Sequence, residues 1–212
     1  MTPADPVAGG IVDSLAHPGG NITGVTRLTR DLKKRRLELL KEVVPRISGV
    51  SVLWNAGNQN ADIAFKEYET AARALKIPLK SVGVRGPHPN FEEAFQTAAK
   101  GQASALITIR DELINGYRKR ITETAIKNRQ PSMYEGSEYV EDGGLMSYAV
   151  SDTEGYRRAA AYVDKILKGT KPADLPVEQS AKFELVINLK TARQIGLTIP
   201  PNVLGRADKV IK

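Results

Sequence analysis

An α/β fold built on a doubly wound, mostly parallel sheet is what this sequence predicts, and three observations predict it. Short runs rich in β-branched and aliphatic residues alternate with stretches whose apolar residues recur every three or four positions. Gly, Pro and Asn punctuate most changes from one pattern to the other. The 212 residues, 41% hydrophobic and 26% charged, suffice for a sizeable core in one large domain or two small ones.

The elements follow in order. Ile11–Ala16 reads as helical, stopped by Pro18-Gly19-Gly20, and Ile22–Thr26 reads as extended. Leu32–Val44 is a helix with Leu37, Leu40 and Val44 on one stripe. Val50–Asn55 (VSVLWN) is a buried strand, and Ala61–Leu75 a helix presenting Phe65, Tyr68, Ala72 and Leu75 on one face. A strand at Leu79–Val84 leads through the turn RGPHP to a helix that starts at Asn90, with Glu93 completing a capping box. Ala105–Ile109 is the next strand. A helix from Glu112 to Asn128 aligns Ile114, Tyr117, Ile121 and Ala125, and short strands follow at Ser132–Glu135 and Leu145–Tyr148. Ser151 and Glu154 open a long helix expected to turn Tyr156, Ala159, Ala160, Val163 and Leu167 inward, ended by Gly169. Lys171–Pro176 reads as a linker, Phe183–Ile187 as a strand, and two short helices around Pro200-Pro201 complete the chain.

Composition narrows the function classes. No apolar run approaches the roughly 18 residues of a membrane span, and no basic-then-apolar export signal opens the sequence. Zero cysteines exclude disulfides, thiolate metal sites and cysteine nucleophiles, a composition that suits an oxidising compartment. The net charge of +7 invites a nucleic-acid reading, but the cations are scattered. The densest run, Lys33-Lys34-Arg35-Arg36, reads as a solvated helix face with Glu38 and Glu42 nearby and no aromatic stacking platform. Nucleic acid is therefore not the expected partner.

The stretch HPGGNITGVT at 17–26 nearly spells a nucleotide-binding P-loop, with Val25 where the lysine belongs. A P-loop requires a strand before its glycines and a helix after them, and here the expected order is reversed. The glycines therefore serve a turn. Both imidazoles, His17 and His88, precede proline in turns, and neither neighbours a plausible serine nucleophile. No metal spacing or G-x-S-x-G appears, so an enzyme is not expected and no cofactor is called for.

In an open α/β sheet, ligands bind beyond the carboxyl ends of the strands. Asn55 and Asn58 follow the first strand of the central unit, and Asp111 follows the third. Tyr134, Glu135 and Ser137 follow the fourth, while Ser147 and Tyr148 end the fifth. Such a rim suits a small polar or zwitterionic molecule: Asn donates and accepts, Asp holds an ammonium, and Tyr packs an apolar face while still hydrogen bonding. Asn58 and Asp111 also stand where plain helix N-caps stand, Tyr148 fits core as well as cleft, and Glu135 with Glu138 reads as surface charge.

The segments DPVAGGIVDSLAHPGGNITGVT, RRLELLKEVVPRISGVSVLWNAGN, YVEDGGLMSYAVS and YRRAAAYVDKILKGTKPADLPVEQSAKFELVINLKTARQIGLTIPPNVLGRADKVI resemble those of ABC transporter substrate-binding proteins with the type I periplasmic-binding fold. The resemblance covers almost the whole chain, and HPGGN(I/V)TG, GGLMSY and FELVINLKTA are its most specific motifs. It implies two α/β lobes joined by a hinge, a small molecule held in the cleft between them, and delivery to a membrane permease without catalysis. Amino acids, aromatic ones included, are among the ligands of such proteins. Residues 1–28 would then be a remnant of the first lobe, 29–149 the complete second lobe, and 150–212 a return segment whose tail the sequence leaves to either lobe. The resemblance also implies an N-terminally shortened member, extracytoplasmic when full-length, whose uncovered first-lobe surface could support a dimer. The alternative from another class is a cytoplasmic ligand-sensing module of the same fold, which the missing export signal favours.

Overall fold

The computed structural model describes residues 6–7, 9–26, 30–100, 103–179 and 182–212. They fall into two compact units. The smaller comprises the described parts of 1–29 and 150–183, and the larger comprises 30–149 and 184–212. The chain thus passes between units at 29/30, 149/150 and 183/184. Residues 150–183 group with the smaller unit and residues 184–212 with the larger.

The smaller unit holds β1 (Val25–Thr26), the long helix Asp152–Leu167 and a two-residue strand at Glu178–Gln179 that pairs parallel with β1. The helix expected at Ile11–Ala16 is absent. In its place Ser14 and His17 close a tight turn, the Ser14 Oγ accepting from the His17 N–H at 2.9 Å. Polar Asp13 and Ser14 bond to the turn instead of continuing a helical ladder: their N–H groups donate to the Pro18 and His17 carbonyls. The glycine reading survives in a new role. Gly19 has φ +79°, a conformation that glycine reaches without the strain a side chain would bring.

The larger unit begins with α1 (Arg30–Val43), β2 (Val50–Asn55), α2 (Gln59–Ala74), β3 (Leu79–Val84), α3 (Phe91–Lys100) and β4 (Ala105–Thr108). The expected single helix at 112–128 is two, α4 (Glu112–Gly116) and α5 (Arg118–Lys127). Gly116 weakens the helix there, and Tyr117 leaves helical geometry to donate its hydroxyl to the Pro87 carbonyl at 2.6 Å. β5 (Ser132–Tyr134), α6 (Ser137–Glu141) and β6 (Met146–Val150) follow. The chain then runs through α7 (Asp152–Leu167) and β7 (Glu178–Gln179) before returning as β8 (Phe183–Asn188), α8 (Leu189–Gln194), α9 (Pro201–Leu204) and β9 (Lys209–Ile211).

Among the described residues the strands form a seven-stranded sheet ordered β3-β2-β4-β5-β6-β8-β9, with parallel register from β3 through β6 and between β8 and β9. Side chains alternate across its faces and build two cores. Val50 and Val52 of β2, Ile107 of β4 and Met133 of β5 join Leu37, Leu40, Phe65, Tyr68 and Ala72 of α1 and α2. Leu53, Leu106 and Tyr134, one position along, join Phe91, Phe95, Ile114, Ile121 and Tyr139 on the other face. Apolar cores on both faces are what a doubly wound sheet requires.

Two helix faces depart from expectation. In the basic run at the start of α1, Lys34 is exposed and Arg35 half-buried, but Lys33 and Arg36 are buried. The periodicity that buries Leu37 and Leu40 carries them inward, where Lys33 pairs with Glu67 at 2.6 Å and Arg36 with Glu135 at 2.6 Å. In α7 the expected inward stripe faces out: Tyr156 is 64%, Val163 55% and Leu167 81% exposed. Tyr162 is the buried aromatic instead, donating its hydroxyl to the Pro176 carbonyl at 2.6 Å. The Ser151 side chain makes no cap, while Gly169 ends the helix with φ +97°. None of the described helices is long and apolar enough to cross a membrane.

Candidate functional site

β2 and β4 are neighbours whose onward connections diverge, that from β2 leading to β3 on one side and that from β4 to β5 on the other. The crevice at the carboxyl ends of β2 and β4 is therefore the topological switch point of the sheet, where open α/β folds bind ligands. Asn55 ends β2, Asn58 caps α2, and Asp111 caps α4.

These three side chains converge. The Asn55 amide donates to Asp111 Oδ2 at 2.6 Å, and the Asn58 amide donates to the same oxygen at 3.2 Å. Each asparagine uses its oxygen locally, Asn55 accepting from the Gly57 N–H at 2.9 Å and Asn58 from the Asn60 N–H at 3.0 Å. Asp111 Oδ1 accepts from the Ile114 N–H at 2.8 Å. The capping reading of Asn58 and Asp111 thus holds, and it coexists with a shared polar cluster. A carboxylate has about four acceptor positions, and among the described residues three donors occupy those of Asp111. All three residues are half-buried, which places the carboxylate within reach of a solute at the rim.

Glu135 is engaged differently. Its Oε1 accepts from Arg36 Nη1 at 2.6 Å and from the Tyr68 hydroxyl at 2.8 Å, and its Oε2 accepts from the Arg110 N–H at 3.1 Å. Its side chain is only 14% exposed, so the surface-charge reading fails: the carboxylate is consumed inside the unit. Burial alone would raise its pKa, but Arg36, Lys33, the Arg110 N–H and the Tyr68 hydroxyl outweigh burial and hold the carboxyl below its usual range. Burial pushes the Tyr68 phenol well up. Arg36 also donates through Nε to the Tyr148 carbonyl at 2.7 Å, so Tyr148 enters this network through its backbone while its half-buried ring packs against the first core. Glu138 is no free surface charge either, because it pairs with Arg110 at 2.9 Å.

The other expected site residues separate. Tyr134 and Ser147 are wholly buried, which corrects their placement on the rim. Tyr134, the last residue of β5, turns into the second core and stacks on Tyr139 with ring centroids 4.9 Å apart. Ser147 lies inside the sheet. Ser137 opens α6 half-buried, and Gly136 rather than Ser137 takes the cap position. Arg36, Tyr68 and Arg110 were not anticipated. Arg36 carried a signal nonetheless, since it sits four residues before Leu40 on the buried stripe. No cluster of three or more potential metal ligands occurs among the described residues.

Comparison with known proteins adds family context. A family model described as ABC transporter substrate binding protein matches residues 1–211. A tyrosine-binding protein of Clostridioides difficile is 24% identical over 194 residues, covering 91% of this chain and 55% of that protein. The chain therefore spans about half the length of that curated relative. A conserved domain protein of Vibrio cholerae superposes with a TM-score of 0.87 at 28% identity, covering 97% of this chain and 68% of that one. An ABC domain from Streptococcus pneumoniae, solved in complex with L-Trp, superposes with a TM-score of 0.83 at 27% identity, covering 98% of this chain and 71% of that one.

Proposed function

Because this chain belongs to the ABC transporter substrate-binding protein family, we propose that it captures a small amino-acid solute for a membrane importer, with Asp111 receiving the solute's ammonium. The convergence of Asn55, Asn58 and Asp111 at the switch point carries this reading. An ammonium offers three donors and a full positive charge, and Asp111 offers a carboxylate acceptor steered by two amides. The relatives support the same class: one is named for tyrosine and the other was solved with L-Trp. Binding without chemistry belongs to this reading, as does release to an ABC permease outside the cytoplasm, where family members work.

Calorimetric titration with L-tryptophan, L-tyrosine and N-acetyl-L-tryptophan tests it. The free amino acids are expected to bind, and the acetylated one, lacking its ammonium, is expected to bind at least about tenfold more weakly. Asp111→Asn keeps the cap oxygen, removes the charge and sets an amide donor against the Asn55 and Asn58 amides, so affinity falls about tenfold to a hundredfold. A folded chain that binds none of a full amino-acid panel would refute the proposal.

A further inference from the structure

We infer that Glu135 is a positioning residue for Asp111 and not a ligand contact: by holding the backbone of Arg110, it fixes where the carboxylate of the next residue stands. The inference rests on the reading of Asp111 given above. The segment between β4 and α4 is only three residues long, and each residue is tied down. The Ile109 N–H donates to the Leu53 carbonyl at 2.9 Å, the Arg110 N–H to Glu135 Oε2 at 3.1 Å, and Asp111 Oδ1 receives the Ile114 N–H at 2.8 Å. The middle tie is the only one of these made to a side chain from another strand end.

That side chain is itself immobilised. Glu135 Oε1 is held by Arg36 Nη1 and by the Tyr68 hydroxyl, which Arg36 Nη1 also contacts at 3.2 Å. Arg36 reaches on to the Tyr148 carbonyl at 2.7 Å. α1 and α2 therefore converge on one carboxylate, with Arg36 also tied to the middle of β6, and that carboxylate passes their rigidity to the Arg110 amide. Asp111 is extended, with φ −146° and ψ −177°, so a shift of its preceding peptide moves the carboxylate away from Asn55 and Asn58. A side chain only 14% exposed leaves Glu135 unsuited to contact a solute itself.

The test compares two double variants in the full chain, R36M/E135Q and R36M/E135M. Both remove the buried charge pair together, so neither strands an ion. Only the glutamine retains an oxygen for the Arg110 N–H. In R36M/E135Q, the Arg110 amide is expected to stay protected, and the Asn55 side-chain amide signals and L-tryptophan affinity to stay within about threefold of wild type. In R36M/E135M, the Arg110 amide is expected to exchange at least about tenfold faster, the Asn55 signals to move toward free-amide positions, and affinity to fall about tenfold. Equal behaviour of the two doubles overturns the inference. Should either fail to fold, Tyr68→Phe removes a single donor to Glu135, and unchanged Arg110 and Asn55 signals in it overturn the inference too. If wild type ignores L-tryptophan while the amide contrast persists, the solute reading fails and the positioning role stands.

Discussion

Glu135 and Tyr134 are chain neighbours with opposite fates, and period-two alternation explains why. Tyr134 is the last strand residue and points into the second core, where its hydroxyl is buried beside Ser132. Replacing a buried hydroxyl by hydrogen removes a desolvation penalty that offsets the loss of a single hydrogen bond. Tyr134→Phe should therefore leave stability within about 0.5 kcal/mol of wild type or raise it, read from urea unfolding with an unchanged slope. Glu135 is the reverse case. Its depressed pKa contributes stability that is complete above the ordinary carboxylate value and is lost as pH falls through the lower folded value. The stability gap between wild type and R36M/E135Q should thus be flat at neutral pH and shrink from about pH 4.3 downward. A gap unchanged at acid pH would show that another group carries it. Asn55, Asn58 and Asp111 were legible because they follow strands directly. Arg36 is hard to read because its charge argues for solvent while its place on an apolar stripe argues for burial, and Tyr134 and Ser147 because strand alternation turns these strand-end residues inward.

At the scale of elements, legibility followed length. β2 and β3, six residues each and bounded by turn signals, begin and end where the sequence predicts. β1, β7 and β9 are two or three residues long, too short to hold a period, and their pairing depends on distant partners. α2 shows how local chemistry sets a boundary. Asn58, extended at φ −110°, accepts the Asn60 N–H and starts the helix, while Ala61, Phe65, Tyr68 and Ala72 bury one face. Asn58→Ala removes that cap together with one donor to Asp111. It should lower stability by about 1 kcal/mol in urea unfolding and weaken solute binding in the same protein. Loss of stability with unaltered affinity would confine Asn58 to capping. Tyr117 illustrates the opposite lesson: its spacing fits one long helix, yet its bond to Pro87 breaks that helix in two.

For the whole molecule, alternating strands and helices made the fold class readable, and both faces of the larger sheet carry the cores that class demands. The orientation of α7 was not readable, because periodicity identifies an apolar stripe without saying what meets it. Val163 and Leu167 stand 55% and 81% exposed, so V163S/L167S should change the melting free energy of this chain by less than about 0.5 kcal/mol. The same double variant should reduce fluorescence of a dye that binds apolar surface. A large loss of stability would mean that the stripe is covered in solution.

The division at 149/150 and 183/184 has a consequence for biosynthesis. A ribosome delivers β2 through β6 in one uninterrupted run, then translates 150–183 before β8 and β9 emerge to extend the sheet. At roughly 5–20 residues per second that detour lasts several seconds, during which the outer side of β6 has no neighbour. The nascent sheet is therefore held incomplete by the order of its own translation, and a chaperone or export factor meeting it in that interval would find an open strand edge.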